Sequence, residues 1–343
     1  MLWSTGGLRK RVLYAAIATL LAYAAVDVEI AILLRPRITI DGRPSSLIVR
    51  DGLLGYRPRP NSRAVLELER FGRVIYRAAY TIDSNGFRAT RGAQGPAVDA
   101  VVFLGDSYTF GDALADQDAL PQQVSAALGY RDRVINAAFS GYGTHQVLRL
   151  LQSGRLDNLL GTGRRTFVYL AIDEHLRRIE GRAPGDWLGT PHYVLAGDSA
   201  RYVGSYYPGV TGQWMRLMSK SALAVAIGNS LMVEPTAQSP RLFGAMVQEA
   251  QQVVRQRYRG RFLTLLWDEP LLSDSRDPAR ARRRAALVQQ MALELERRGV
   301  PFMRVSALIP DYRAHMSAYV IAGNGHPSAQ LTRRLAQALA TRF

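Results

Sequence analysis

Two residues far apart in this chain are placed where they could do chemistry together. Ser107 follows an apolar run, Ala100 to Leu104, in the triplet Gly105-Asp106-Ser107, and His326 lies near the C-terminus in Gly325-His326-Pro327-Ser328. A serine hydroxyl is a weak nucleophile at neutral pH and attacks an acyl carbon only when a base within hydrogen-bond reach removes its proton. Of the five histidines, His326 is the one followed by Pro327 and Ser328, which read as the start of a last helix. It therefore belongs on a turn at the same sheet edge as Ser107. The absence of cysteine excludes disulfides, thiolate metal sites and a cysteine nucleophile. There is no His-x-x-x-His pair, no run of acids at calcium spacing and no glycine-rich phosphate cradle, so neither metal nor cofactor is expected.

The elements that must position these groups are those of a parallel sheet. Residues 101–104 have the pattern of a short buried strand, and a serine on the turn after it lies at the carboxyl edge, where open α/β sheets hold their ligands. The triplet alone carries little weight, because Gly197-Asp198-Ser199 repeats it between two alternating runs that read as a hairpin. Further strands are expected at 133–137, 166–172, 261–267 and 301–305, with helices at 120–128, 144–152, 243–258, 278–298 and 329–341. Right-handed crossovers then give a doubly wound sheet.

Taken in order, Gly105-Asp106-Ser107, the stretch Val134 to Thr144 with its Asn136 and Gly141, and Gly325-His326-Pro327-Ser328 resemble blocks of the SGNH/GDSL hydrolase superfamily. The resemblance covers roughly 99–343. It implies a flavodoxin-like α/β/α sandwich with a five-stranded parallel sheet, Ser107 as nucleophile, His326 as base, and the Ser107 and Gly141 backbone N–H groups as oxyanion donors. Two departures stand out. The carboxylate that normally precedes the histidine by two or three residues is replaced by Asn324 and Gly323. Asparagine can accept a hydrogen bond from imidazole and fix its tautomer, but it cannot stabilise imidazolium by charge. Asp311 or another acid is the candidate substitute, and Asp106 a supporting acid. In place of the third-block asparagine stands Asp173-Glu174-His175. A carboxylate facing an oxyanion would repel it, so the expected third donor is His175, its tautomer set by Asp173 or Glu174, with a plain polar loop as the alternative. His145 could equally line the pocket.

Ahead of this region, Arg9-Lys10-Arg11 precedes an uncharged stretch, 12–26, then Asp27, Glu29 and a resumed apolar run. Residues 1–34 are long enough to span a bilayer with the two acids near the outer interface, and the basic flank puts the N-terminus inside. A signal peptide cut at Ala22-Tyr23-Ala24 is the competing reading. The expected location is the bacterial inner membrane, single-pass, with the catalytic part periplasmic. Residues 35–98 read as a small β-rich region, ending in Asp83-Ser84-Asn85-Gly86-Phe87-Arg88, a stretch resembling one that often precedes the core of membrane-anchored bacterial members. An insertion at about 176–240 carries Trp187, Tyr193, Tyr202, Tyr206, Tyr207 and Trp214: either a lid whose aromatic faces suit sugar rings, or the packing of an extra subdomain. The net charge of +16 is almost all arginine and spread along the chain, and no nucleic-acid partner is expected. The expected function is a serine esterase removing short acyl groups, acetyl first, from an envelope or secreted carbohydrate. An acyltransferase using the same residues and a non-catalytic carbohydrate-binding module are the alternatives.

Overall fold

The computed structural model describes residues 5–34, 37–95, 98–181, 189–230, 235–269 and 277–343. A long helix, α1 (Thr5–Leu34), precedes six strands: β1 (Arg37–Ile40), β2 (Arg43–Pro44), β3 (Ile48–Asp51), β4 (Gly55–Pro58), β5 (Ser62–Arg70) and β6 (Arg73–Ile82). The alternating main domain follows with β7 (Ala100–Leu104), α2 (Ser107–Phe110), α3 (Leu120–Ala127), β8 (Arg133–Asn136), α4 (Thr144–Ser153), β9 (Arg165–Ala171) and α5 (Glu174–Arg178). The inserted segment holds β10 (Pro191–Ala196), β11 (Ser199–Ser205), α6 (Gly209–Met218) and α7 (Ala222–Ser230). The chain closes with α8 (Ser239–Arg257), β12 (Arg261–Leu266), α9 (Pro278–Arg297), β13 (Phe302–Arg304), α10 (Val305–Leu308), α11 (Met316–Tyr319) and α12 (Ala329–Ala340).

The five core strands pair in the order β13-β12-β9-β7-β8, all parallel. This is the flavodoxin-like winding, and its topological switch point falls between β7 and β9, at the carboxyl end of β7. The strand centres are largely apolar because both faces are covered, with arginines confined to the strand ends. Val101, Phe103, Val168 and Leu170 pack against Leu120, Val124, Leu331 and Leu335 of α3 and α12. Val102, Leu104, Phe167 and Tyr169 turn to the other layer, with Leu148 and Leu151 of α4, Phe243 and Val247 of α8, and Met291 and Leu295 of α9. The expected core strands lie within two residues of those observed. Helix α8 starts four residues earlier than periodicity suggests, because Pro240 occupies its first turn, where a missing N–H costs nothing.

The β-rich region forms a four-stranded sheet, β2-β1-β5-β6, and a separate β3–β4 hairpin. It braces the main domain at the catalytic edge. Tyr56 donates to the Ser140 carbonyl at 3.0 Å, and Arg70 donates to the Gly323 carbonyl at 3.2 Å. The insertion follows the packing reading over its described hairpin. Its β10–β11 hairpin packs on α4 and α8, and Asp198 at its turn pairs with Arg297 and Arg298 at the C-terminal end of α9. That end feeds the start of β13, the sheet edge opposite Ser107, so the hairpin is no lid; Tyr193 and Tyr206 are buried in packing. Trp187 lies outside the described residues.

The stretch ending in Arg88 has a clear task. Asp83 accepts from the N–H groups of Asn85 and Phe87, at 2.9 and 2.8 Å, and this turn delivers Arg88 into the interior, 1% exposed. Its guanidinium donates to the carbonyls of Phe110, Gly111 and Leu114 at 2.8, 2.7 and 2.6 Å, to Ala79 at 3.4 Å, and to Asp116 at 3.0 Å. The Tyr80 ring covers it at 4.1 Å. Truncation would leave the Leu114 carbonyl without its donor and take the guanidinium from Phe110, Gly111 and Asp116, which keep only the Asn136 amide, the Leu114 N–H and the Thr81 N–H, and Arg88→Met should therefore lower the unfolding free energy by about 3 kcal/mol. Arg88→Lys should recover little, since an ammonium cannot fork to three carbonyls. Urea unfolding checks this, and an unchanged midpoint in both variants would remove the clamp.

Candidate active site

Ser107 is the first residue of α2, at the carboxyl end of β7, and is 7% exposed. The approach is tight: Gly105 has φ 144°, and a Cβ there would lie 2.5 Å from the Thr109 hydroxyl and 3.0 Å from the Leu170 carbonyl. Only glycine fits. Among the described residues neither the Ser107 nor the Gly141 N–H makes a hydrogen bond. The two turns are joined by the Phe139 N–H, which donates to the Gly105 carbonyl at 3.3 Å. Asn136, fully buried, donates to the Phe110 carbonyl at 3.2 Å and steadies the far end of α2.

His326 sits on a tight loop between α11 and α12, closed by the Ile321 N–H donating to the His326 carbonyl at 2.8 Å. Ser328 caps α12 by accepting from the Leu331 N–H at 3.3 Å. The Asn324 side-chain oxygen accepts from the His326 backbone N–H at 3.2 Å and contacts ring Nδ1 at 2.5 Å. The backbone N–H fixes the amide oxygen toward the ring, and an amide oxygen has no hydrogen to donate, so Nδ1 carries the proton and Nε2 the lone pair. The ring lies against the nucleophile turn, 5.4 Å from the Tyr108 ring, with Nε2 4.0 Å from Asp112 Oδ2.

Asp112 was not singled out by sequence, although it closes the stretch that contains Ser107. Its N–H donates to the Ser107 carbonyl at 3.0 Å, and its carboxylate accepts from the Ser140 hydroxyl at 2.6 Å. Burial pushes its pKa up, against the pull of His326, Ser140 and Arg88. Tyr76 of β6 is raised to about 12, chiefly by burial and then by the Asp112 charge, which places that strand along the same side of the site. A lone acid after a short helix has no periodic signature, so only the fold reveals it.

The third-block residues take roles other than those expected. His175 is fully buried: Nδ1 meets the Tyr169 hydroxyl at 2.7 Å, and Nε2 faces Asp106 Oδ2 at 3.6 Å, a charge contact too long for a hydrogen bond. Both nitrogens point beneath the nucleophile turn, so His175 is not an oxyanion donor. Asp173 and Glu174 do not touch it; they pair with Arg284 at 2.9 Å and with Arg177 Nε at 2.9 Å. Asp106, also fully buried, accepts from the Tyr108 N–H at 3.1 Å and from Arg178 at 2.7 Å. Burial opposes its charge, but Arg178 and His175 outweigh burial and hold its carboxyl far below the usual range. Arg178 also donates to the Tyr142 carbonyl at 2.8 Å and so ties Asp106 to the Gly141 turn. His145 is fully buried behind that turn, its pKa lowered to about 3 by desolvation first and then by His175 and Arg178, and does not line an open pocket. Asp311 pairs with Tyr319 and Arg334, away from the His326 ring. Among the described residues no cluster of acids, histidines and cysteines could hold a metal.

No protein-family model matches the sequence, and no curated protein sequence is similar to it. Solved structures do resemble it. A member of the lipolytic protein G-D-S-L family from Veillonella parvula shares 9% identity at a TM-score of 0.42, covering 71% of this chain and 97% of that one. A lipase/acylhydrolase from Enterococcus faecalis shares 15% at 0.38, covering 71% and 96%. An acetylxylan esterase from Geobacillus stearothermophilus shares 11% at 0.40, covering 74% and 95%. Read from its own strand order, the fold is the one that the SGNH resemblance implies. The chemistry rests on the chain's own side chains.

Because His175 supports the turn from below, His175→Ala should reduce kcat by less than about tenfold, against the hundredfold or more expected of a lost oxyanion donor. Asp106→Asn should cost more, about 3 kcal/mol of stability, by removing the buried carboxylate that Arg178 and the Tyr108 N–H hold. The sign with pH follows from a depressed folded pKa: the stabilisation by Asp106 is complete above the unfolded carboxylate range and is lost as pH falls through the folded value. The stability difference between wild type and Asp106→Asn should thus be flat above about pH 5 and shrink below about pH 4. Chemical unfolding across that range tests it; a difference that grows in acid would contradict it.

Proposed function

We propose that the protein is a serine esterase that removes short acyl groups, acetyl first, from a carbohydrate outside the inner membrane. One observation carries the reading: Asn324 holds the proton of His326 on Nδ1, leaving the Nε2 lone pair as a base beside a nucleophile turn with two free N–H groups. In this mechanism Nε2 takes the Ser107 proton as Oγ attacks the ester carbonyl, and the Ser107 and Gly141 N–H groups hold the oxyanion. His326 then returns the proton to the leaving alcohol. Water, activated in the same way, releases the acid from the acyl-serine.

Asparagine cannot supply charge to the imidazolium formed in these steps. Asp112 supports it instead from the other side of the ring, at 4.0 Å, through charge rather than a hydrogen bond. Hydrolysis is favoured over transfer because the β10–β11 hairpin of the insertion packs on α4 and α8 rather than over Ser107.

Purified full-length protein in detergent should release chromogenic acetate, react with a fluorophosphonate, and lose both properties in Ser107→Ala, with turnover falling by about a thousandfold or more. Wild-type turnover in that variant would end the assignment. Acylated sugar rather than free acid, weighed by mass spectrometry after incubation with oligosaccharide acceptors, would instead establish a transferase, and no labelling would favour a binding module. Asp112→Asn should lower kcat/KM about tenfold or more and move the acid limb of the pH profile to lower pH. Adding Asn324→Asp should restore part of both. If Asp112→Asn leaves rate and profile as they were, the carboxylate has no part in the reaction.

A further inference from the structure

The insertion carries a face that the esterase reading leaves unused. Helix α6 exposes Val210, Trp214 and Leu217, at 80%, 59% and 54%, and their i, i+4, i+7 spacing makes one apolar stripe. Helix α7 follows after Ser219-Lys220-Ser221. It consists almost wholly of small and apolar residues and exposes Ile227. Among the described residues this tryptophan-centred stripe is left exposed.

The neighbour of α7 is α1. Asp27 Oδ1 accepts from the Ser221 hydroxyl at 2.6 Å and from the Leu223 N–H at 2.8 Å, and the Tyr23 hydroxyl, one turn earlier, meets Ser221 at 2.6 Å. The acid that interrupts the N-terminal apolar run thus joins Ser221, which accepts from the Ala224 N–H at 2.9 Å, in capping the first turn of α7. The apolar part of α1, Arg11–Ala31, is long enough to cross a bilayer and is not buried in the protein. If Ala31 marks the outer end of the span, Asp27 lies about 6 Å below it at 1.5 Å per residue. An amphipathic helix resting in a membrane interface sinks its apolar face by about 5–10 Å. Depth, composition and attachment agree.

We propose that α6 and α7 form a second membrane contact, a helix pair that lies in the outer interface of the bilayer that α1 spans, with Val210, Trp214 and Leu217 among the acyl chains. The occupant of the stripe is lipid, continuous with the lipid around α1, and the Asp27 cap fixes the depth of the pair. The catalytic domain is then held to the surface at two points rather than hung from a tether. This rests on α1 being a membrane span.

The chain has no cysteine, so single cysteines can be placed at will. Trp214→Cys, Leu217→Cys, Leu20→Cys and Tyr130→Cys, each in the full chain, are labelled with nitrobenzoxadiazole. They are then reconstituted into phosphatidylethanolamine–phosphatidylglycerol vesicles, with or without lipid bearing a nitroxide at a shallow acyl carbon. Labels at 20, 214 and 217 should lose most of their emission to the nitroxide lipid, and the label at 130, between α3 and β8, should keep it. Quenching at 20 but not at 214 or 217 overturns the second contact and leaves the span standing. No quenching at 20 overturns the span itself, and the proposal with it.

Discussion

The buried guanidinium of Arg88 is the interaction on which the arrangement depends. A charge taken out of water must be met by acceptors or it destabilises the fold, and here four carbonyls and one carboxylate meet it. Three of the carbonyls belong to the end of α2 and the loop behind it. A four-residue helix has no stability of its own, since nucleation outweighs the few bonds it makes. Arg88 and Asn136 supply the donors that its last carbonyls lack, and so hold Ser107 at the mouth of the sheet. Because Arg88 enters from the β-rich region, that region helps to position the turn that carries Ser107.

The opposite end of the same helix is held by a second buried charge. Asp106 caps α2 and is itself held by Arg178, which reaches on to the Tyr142 carbonyl. The turn bearing Ser107 and the turn bearing Gly141 therefore share one arginine below and one backbone bond, from Phe139 to Gly105, above. Two N–H groups that must converge on one oxygen need this rigidity, because their worth lies in paying no reorganisation when charge develops.

The parts legible in sequence were those with a repeating or bounded signature. Strands buried on both faces read as short apolar runs, and Ser107, Gly141 and His326 stood on the turns that end or follow them. What the sequence hid was direction. His175 follows β9 as an oxyanion residue might, but α5 begins at Glu174 and turns the ring under the sheet toward Tyr169 and Asp106. The aromatic insertion could have been a lid until Asp198 was found against Arg297 and Arg298 at the wrong edge. Arg88 stands in a stretch whose resemblance gives it no role, and Asp112, a single charged residue in a loop, carries no pattern that sets it apart from the other charges of the chain.

Asn324 and Asp112 are best understood together. An imidazole that acts as a base must be neutral before the reaction and stabilised as a cation during it. One carboxylate near the ring meets both needs; two, one on each nitrogen, would hold the ring protonated and remove the base. In the usual arrangement that one carboxylate sits on the Nδ1 side. Here Asp112 occupies the Nε2 side, so the Nδ1 partner must orient the ring without adding charge, and an amide oxygen does that. In the proposed mechanism, the asparagine that departs from the resemblance's pattern is the residue that a carboxylate at 112 requires.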